Sequence, residues 1–173
     1  MTLKNNILRL ICGLTAVLFS SCYTFTGSSL DPSIKTVNIS TFPNYATLQN
    51  INLSMDFTTA LQNRFHQRTK LVQTTINPDI NIEGEITNYV ISPIDVQAPA
   101  TGGADVAAHN RLTITVKVRY DNQMQPEKSF EKTYSDYADY DATQMLSSVE
   151  DNLCKDINQR IIDQIFNDIV ADW

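Results

Sequence analysis

Histidine and cysteine are scarce in this 173-residue chain, which has two of the first and three of the second. His66 and His109 stand in no His-x-x-x-His spacing and no Cys-x-x-Cys occurs, so the usual metal arrangements are missing and no metal ligand is expected. Three cysteines do not make a disulfide scaffold. Five glycines exclude a collagen-like repeat, while 42% hydrophobic residues argue against intrinsic disorder. Gly-x-Ser-x-Gly is absent and Gly102-Gly103 is no phosphate-cradling loop, so neither a nucleophile elbow nor a cofactor is expected. Basic residues are outnumbered 13 to 19, a net charge of −6, which removes the general electrostatic reason for a nucleic-acid partner.

Long apolar runs are also few, and the one that matters is at the start. Residues 1–21 carry Lys4 and Arg9, no acid, and an apolar stretch from Leu10 to Phe19 before Ser20-Ser21. A short basic region, about ten apolar residues and then small residues describe a removable secretion signal. A spanning helix needs about 20 apolar residues, so this run is too short for a stable anchor. The competing reading is a buried N-terminal helix. Without residues 1–21 the chain keeps 11 basic and 19 acidic residues, a net −8. Its remaining length suits one domain with a proper core.

Cys12 lies within the signal and leaves with it. Cys22 directly follows Leu18-Phe19-Ser20-Ser21 and resembles the lipobox of bacterial lipoproteins, in which cleavage precedes a cysteine that is then lipidated. Each buried CH₂ contributes about 0.8 kcal/mol, so several acyl chains make a durable membrane anchor. The competing reading is ordinary cleavage that leaves a free thiol. With Cys22 acylated, Cys154 has no partner and is expected to be a small buried hydrophobe on a helix.

Residues 22–34 are polar, with Gly27 and Pro32, and read as a lipidated tether; residues 35–173 read as a single domain. Lys35–Thr41 alternates as a first strand. Leu53, Phe57, Leu61 and Phe65 then recur every four residues on a helix from Asn50 to about Arg68. A short strand at Leu71–Thr75 precedes a longer one that starts at Ile80 and runs to Ile91, with a bulge expected near Gly84. Residues 93–110 form a long Pro/Gly/Ala loop. Arg111–Tyr120 alternates most cleanly, and Glu127–Asp136 follows. Met145, Val149, Leu153, Ile157, Ile161, Ile165 and Ile169 stripe a last helix of about 25 residues, with Ser147 and Glu150 placed as a capping box. The pattern predicts a two-layer α+β sandwich: a mainly antiparallel sheet of four to five strands with two helices packed on one face.

Two polar features remain. Asp136, Asp139 and Asp141 stand with two tyrosines in a segment read as a polar link before the last helix. Convergent carboxylates there would hold Ca²⁺ or supply a general acid for a hydrolase, although the spacing matches no full ion loop. Residues 111–132 hold Arg111, Lys117, Arg119, Lys128 and Lys132 against Asp121, Glu127 and Glu131, a net +2 beside −10 in the rest of the mature chain. Such a hairpin suits the phosphates or carboxylates of a ligand, or is simply a solvated sheet face.

The order of these elements is similar to that of the LptE family of lipopolysaccharide-assembly lipoproteins. The residues that carry the resemblance are Cys22-Tyr23-Thr24-Phe25, Lys35-Thr36-Val37-Asn38-Ile39, Phe42-Pro43-Asn44, the run Asp79–Tyr89, Asn110–Val116 and the ending Ile165-Phe166-Asn167 to Asp172-Trp173. The resemblance implies an α/β sandwich and a lipoprotein tethered at the periplasmic face of the outer membrane. It implies as partner LptD, a large β-barrel that such proteins plug, the pair delivering lipopolysaccharide to the outer leaflet. Tyr23, rather than an acid, fits outer-membrane sorting. Only Cys22 carries over as a functional residue; Arg111, Lys117 and Arg119 are candidate lipopolysaccharide contacts by their charge alone. No catalytic residue is implied. The alternatives are a periplasmic hydrolase built on Asp136, Asp139 and Asp141, and a binding module of another envelope complex.

Overall fold

The computed structural model describes residues 30–48, 50–94 and 108–170. The expected signal, Cys22, the tether up to residue 29 and residues 95–107 of the expected loop lie outside them. Five strands make one sheet: β1 (Thr36–Ile39), β2 (Val72–Gln73), β3 (Ile80–Ile94), β4 (His109–Asn122) and β5 (Phe130–Asp141). Two helices accompany it, α1 (Leu53–Arg68) and α2 (Leu146–Val170), so the fold is α+β.

The strand order is β2-β1-β3-β4-β5. β3, β4 and β5 are antiparallel neighbours, whereas β1 runs parallel to both β2 and β3. The sheet is therefore mixed. α1 is the cause: it carries the chain back to the end where β1 began, and parallel neighbours need such a crossover. Asp79 fixes the entry. Its Oδ2 accepts from Lys35 N, Thr36 N and Thr36 Oγ1, each at 2.8 Å, and pins the start of β1 to the start of β3.

The expected alternation holds along β4, where Leu112, Ile114, Val116, Val118 and Tyr120 are buried toward the helices. On α1 the spacing of four places Leu53, Phe57, Leu61 and Phe65 in the core, and α2 contributes Ile157, Ile161 and Ile165. Rings knit the layers, with Phe42 5.2 Å from Phe57 and Phe65 5.1 Å from Phe166. Each such side chain stabilises the fold by about 1.5–3 kcal/mol through burial. Ile34 is also buried and Leu30 packs against the same core.

Four local expectations are revised. The acidic segment is not a link but the second half of β5, paired residue for residue with β4 up to Asp141 opposite His109. Its tyrosines are strand formers, and a long partner strand overrides the disfavour of aspartate for strands. The bulge falls at Thr87, between the paired residues Ile86 and Asn88, and not at Gly84. Gly84 serves a close approach instead: a Cβ there would stand 2.2 Å from the Lys117 carbonyl oxygen and 2.6 Å from Phe42 Cε1. Ser147 lies inside α2 and makes no capping box, because Glu150 is engaged elsewhere, accepting from Tyr89 Oη at 2.6 Å and Asn50 Nδ2 at 3.0 Å. Met145, the first residue of the expected stripe, is 78% exposed ahead of the helix.

Candidate functional site

The sheet face away from the helices collects the outward row of β4: Arg111, Thr113, Thr115, Lys117 and Arg119. Three bases an even number of residues apart on one strand share that face because side chains alternate. The neighbouring strands then decide their surroundings. Arg111 stands opposite Asp139 and bonds it twice, Nε to Oδ1 at 2.7 Å and Nη2 to Oδ2 at 2.9 Å, with its guanidinium 3.7 Å over the Tyr137 ring. Lys117 reaches Glu131 at 2.7 Å. Arg119 touches Asp121 at 3.2 Å and Glu83, across on β3, at 3.8 Å.

These pairings tune the charges. The hydrogen bond from Arg111 holds the Asp139 carboxyl below the ordinary carboxylate range, and the same bond raises Arg111. The bond to Glu131 likewise raises Lys117. The local excess of positive charge read from residues 111–132 is thus laced with acids, and two of them, Glu83 on β3 and Asp139 farther along β5, lie outside that count. Lys132 points to the other face and joins Tyr134 in holding Asp168 of α2. Among the three outward bases, Arg119 is the most exposed, at 57%, and has the loosest contacts.

Asp136, Asp139 and Asp141 do not converge. Asp136 lies on the helix side, where Arg160 Nε donates to its Oδ1 at 2.8 Å and Gln164 to its Oδ2 at 3.3 Å. Asp139 lies on the outer face with Arg111. Asp141 accepts from Thr143 N and Oγ1, contacts that lower its pKa. The alternation of a strand separates residue 136 from 139 and 141, so the geometry supplies no shared cleft for a hydrolase. Among the described residues no group of three His, Cys, Asp or Glu side chains is placed to hold a metal.

Cys154 is buried and free, as its helical position suggests. Burial pushes its thiol up to about 11. It lies beside the link formed by Tyr89, Glu150 and Asn50, which ties β3 and the approach to α1 to the start of α2.

Periodicity gave no hint of a group of exposed apolar residues at this end. Tyr45, Leu48, Ile51 and Met55 run through the approach to α1 and its first turn, Ile51 being 94% exposed, and Met145 precedes α2. The first three precede α1, where no regular element imposes a period, and Met145 fits the helical stripe by spacing while lying outside the helix. The opposite end of the molecule receives the chain from its N-terminal side: Leu30 sits with Tyr120, Phe130 and Ile169. No helix among the described residues is long and apolar enough to cross a membrane.

Solved structures share this architecture. A minor lipoprotein from Acinetobacter baumannii matches with a TM-score of 0.50 at 13% identity, over 78% of this chain and 91% of that one. The hypothetical protein CT253 from Chlamydia trachomatis matches with a TM-score of 0.51, also at 13% identity, over 81% of this chain and 100% of its own. At such identities the likeness speaks for the fold alone. No curated protein matches the chain. A family model does, LptE, described as lipopolysaccharide-assembly, and it spans residues 34–169, from two residues before β1 to the last turn of α2. The chain belongs to the LptE family of lipopolysaccharide-assembly proteins.

Proposed function

We propose that this protein is an outer-membrane lipoprotein, held at the periplasmic face by acyl chains on Cys22, that plugs the LptD β-barrel and assists its assembly. In that role it helps deliver lipopolysaccharide to the outer leaflet. The observation that carries the reading is the family match over residues 34–169. The two ends of the molecule support it. Leu30 lies eight residue steps beyond Cys22, at most about 28 Å of chain. α2, with 25 residues, leads about 37 Å from that end to the one bearing Tyr45, Leu48, Ile51, Met55 and Met145. An anchor at one end leaves the apolar end free to meet a protein wall.

Co-purification from detergent-solubilised outer membranes tests the assignment. A large β-barrel recovered with the tagged protein is expected, and its consistent absence overturns the reading.

Arg111, Lys117 and Arg119 are the proposed contacts for lipid A phosphates, and their pairing ranks them. A phosphate must displace a bidentate carboxylate from Arg111 but only loose contacts from Arg119. Arg119→Glu is therefore expected to weaken lipopolysaccharide binding more than Arg111→Glu, with Lys117→Glu between them. Fluorescent lipopolysaccharide titrated into the purified protein reads this directly. Unchanged binding in the Lys117→Glu/Arg119→Glu variant removes the outer sheet face from the account.

A further inference from the structure

α1 and α2 run in the same direction over the sheet and are tied at two levels. Near their starts Asn50 Nδ2 donates to Glu150 at 3.0 Å, and farther along Arg64 bridges to Asp163 at 2.9 Å. Between the ties lies a cleft of about 410 Å³. Leu53 and Cys154 give it a buried apolar floor. Asp56 from α1 and Asp151 from α2 stand on it from the two sides, and Lys155 is the cation on its lining, so the cleft is net negative.

Asn158 also lines the cleft. It is 4% exposed, among buried positions of α2 otherwise filled by apolar side chains such as Ile157, Ile161 and Ile162, and its Oδ1 is buried without a hydrogen bond from any described residue. A buried acceptor is costly to leave unpaired and rarely is. An aliphatic side chain at 158 would extend the stripe at no such cost, so the amide calls for a donor.

We propose that this cleft docks a short segment of a partner polypeptide that inserts a basic side chain, arginine above all, between the helices. A guanidinium carries five N–H donors in a fixed fork, enough to reach the Asn158 carboxamide and one carboxylate together. The terminal amide torsion is soft, so Oδ1 turns toward an arriving donor. The aliphatic stem lies along Leu53 and Cys154. The acids disfavour an acidic or phosphorylated segment. From Asp151 to Asn158 the helix rises about 10 Å, which accommodates three extended residues. The cleft belongs to the helical layer, so the proposal stands apart from any role of Arg111, Lys117 and Arg119.

The test uses the full chain, ¹⁵N-labelled and solubilised in detergent, titrated with the tripeptide amides Ac-Gly-Arg-Gly-NH2, Ac-Gly-Gly-Gly-NH2 and Ac-Gly-Glu-Gly-NH2. The arginine peptide is expected to shift the side-chain amide signals of Asn158 and Gln159 saturably, in the millimolar range typical of so small a ligand. The glutamate peptide is expected to leave them unmoved, and the glycine peptide to bind at least about tenfold more weakly than the arginine one. Asp56→Asn/Asp151→Asn, at exposed positions that do not threaten folding, should weaken the arginine peptide about tenfold. Asn158→Leu should abolish its binding, read from the shifts of Gln159. Equal responses to the arginine and glutamate peptides, no saturable shift up to about 50 mM, or an unchanged affinity in Asp56→Asn/Asp151→Asn overturns the proposal.

Discussion

Replacing Gly84 by alanine places a methyl group where β3 and β4 leave no room for one. The added carbon would stand 2.2 Å from the Lys117 carbonyl oxygen and 2.6 Å from Phe42 Cε1, each more than 0.5 Å inside ordinary contact. The carbonyl belongs to the backbone of β4, an interior strand paired on both sides, and Phe42 is fully buried against the Phe57 ring. Neither yields cheaply, because a shift of Lys117 disturbs the β3–β4 register and a shift of Phe42 displaces the aromatic pair. Overpacking costs about 1–3 kcal/mol per site, and two clashes at once belong at or above the top of that range. The loss of glycine's unfolded-state freedom offsets up to about 1 kcal/mol. The net expectation is a loss of about 2–4 kcal/mol, or about 5–15 °C in Tm for a chain of this size. Urea unfolding followed by far-ultraviolet circular dichroism should show the midpoint lowered by about 1–2 M. Adding Phe42→Leu to Gly84→Ala should restore only part of the loss, since the carbonyl clash remains. A Gly84→Ala protein within about 0.5 kcal/mol of the wild type would refute the close-approach reasoning.

Further expectations concern titratable groups. Cys154 in the native protein should resist thiol reagents at pH 8, because it is buried and its thiol is held near 11, and should react fully in urea; comparable rates in both states would contradict its placement. Asp79 is held below the ordinary carboxylate range by the Lys35 N–H first and then by the Thr36 hydroxyl and N–H. A carboxylate whose pKa is lowered by folding stabilises the native state above its unfolded pKa of about 4, and this contribution is lost as pH falls through the lower folded value. Asp79→Asn should therefore be less stable than wild type at pH 7, with the difference shrinking below about pH 4; parallel urea-midpoint curves across pH would show that Asp79 does not anchor β1.

Much of the architecture was legible because a half-buried sheet and one-sided helices write their periods into the chain. β4 alternates without exception, and the fourfold spacing from Leu53 to Phe65 names the buried side of α1. The errors fall where short-range preference and long-range pairing disagree. Asp136–Asp141 has the composition of a link, yet strand pairing along β4 extends it into β5. Met145 fits the stripe of α2 by spacing, yet lies before the helix begins. The candidate site followed the same division. The residues of the outer face were identifiable by alternation, but their ion pairs with Glu83, Asp139 and Glu131 came from strands whose register no single strand encodes.

What the sequence determined by itself were the local and periodic facts: the apolar segment before Cys22, the two striped helices, the alternating strands and the absence of a catalytic motif. Each depends on residues near one another in the chain. Only the tertiary structure decided that β1 runs parallel to its neighbours, that the three aspartates part to opposite faces, and that the basic row on β4 is matched by acids. It also placed Asn158, with its buried unpaired Oδ1, in a cleft lined by Asp56 and Asp151. Those are relations between segments distant in sequence, and they are set by register and helix packing, which the order of residues along one element leaves open.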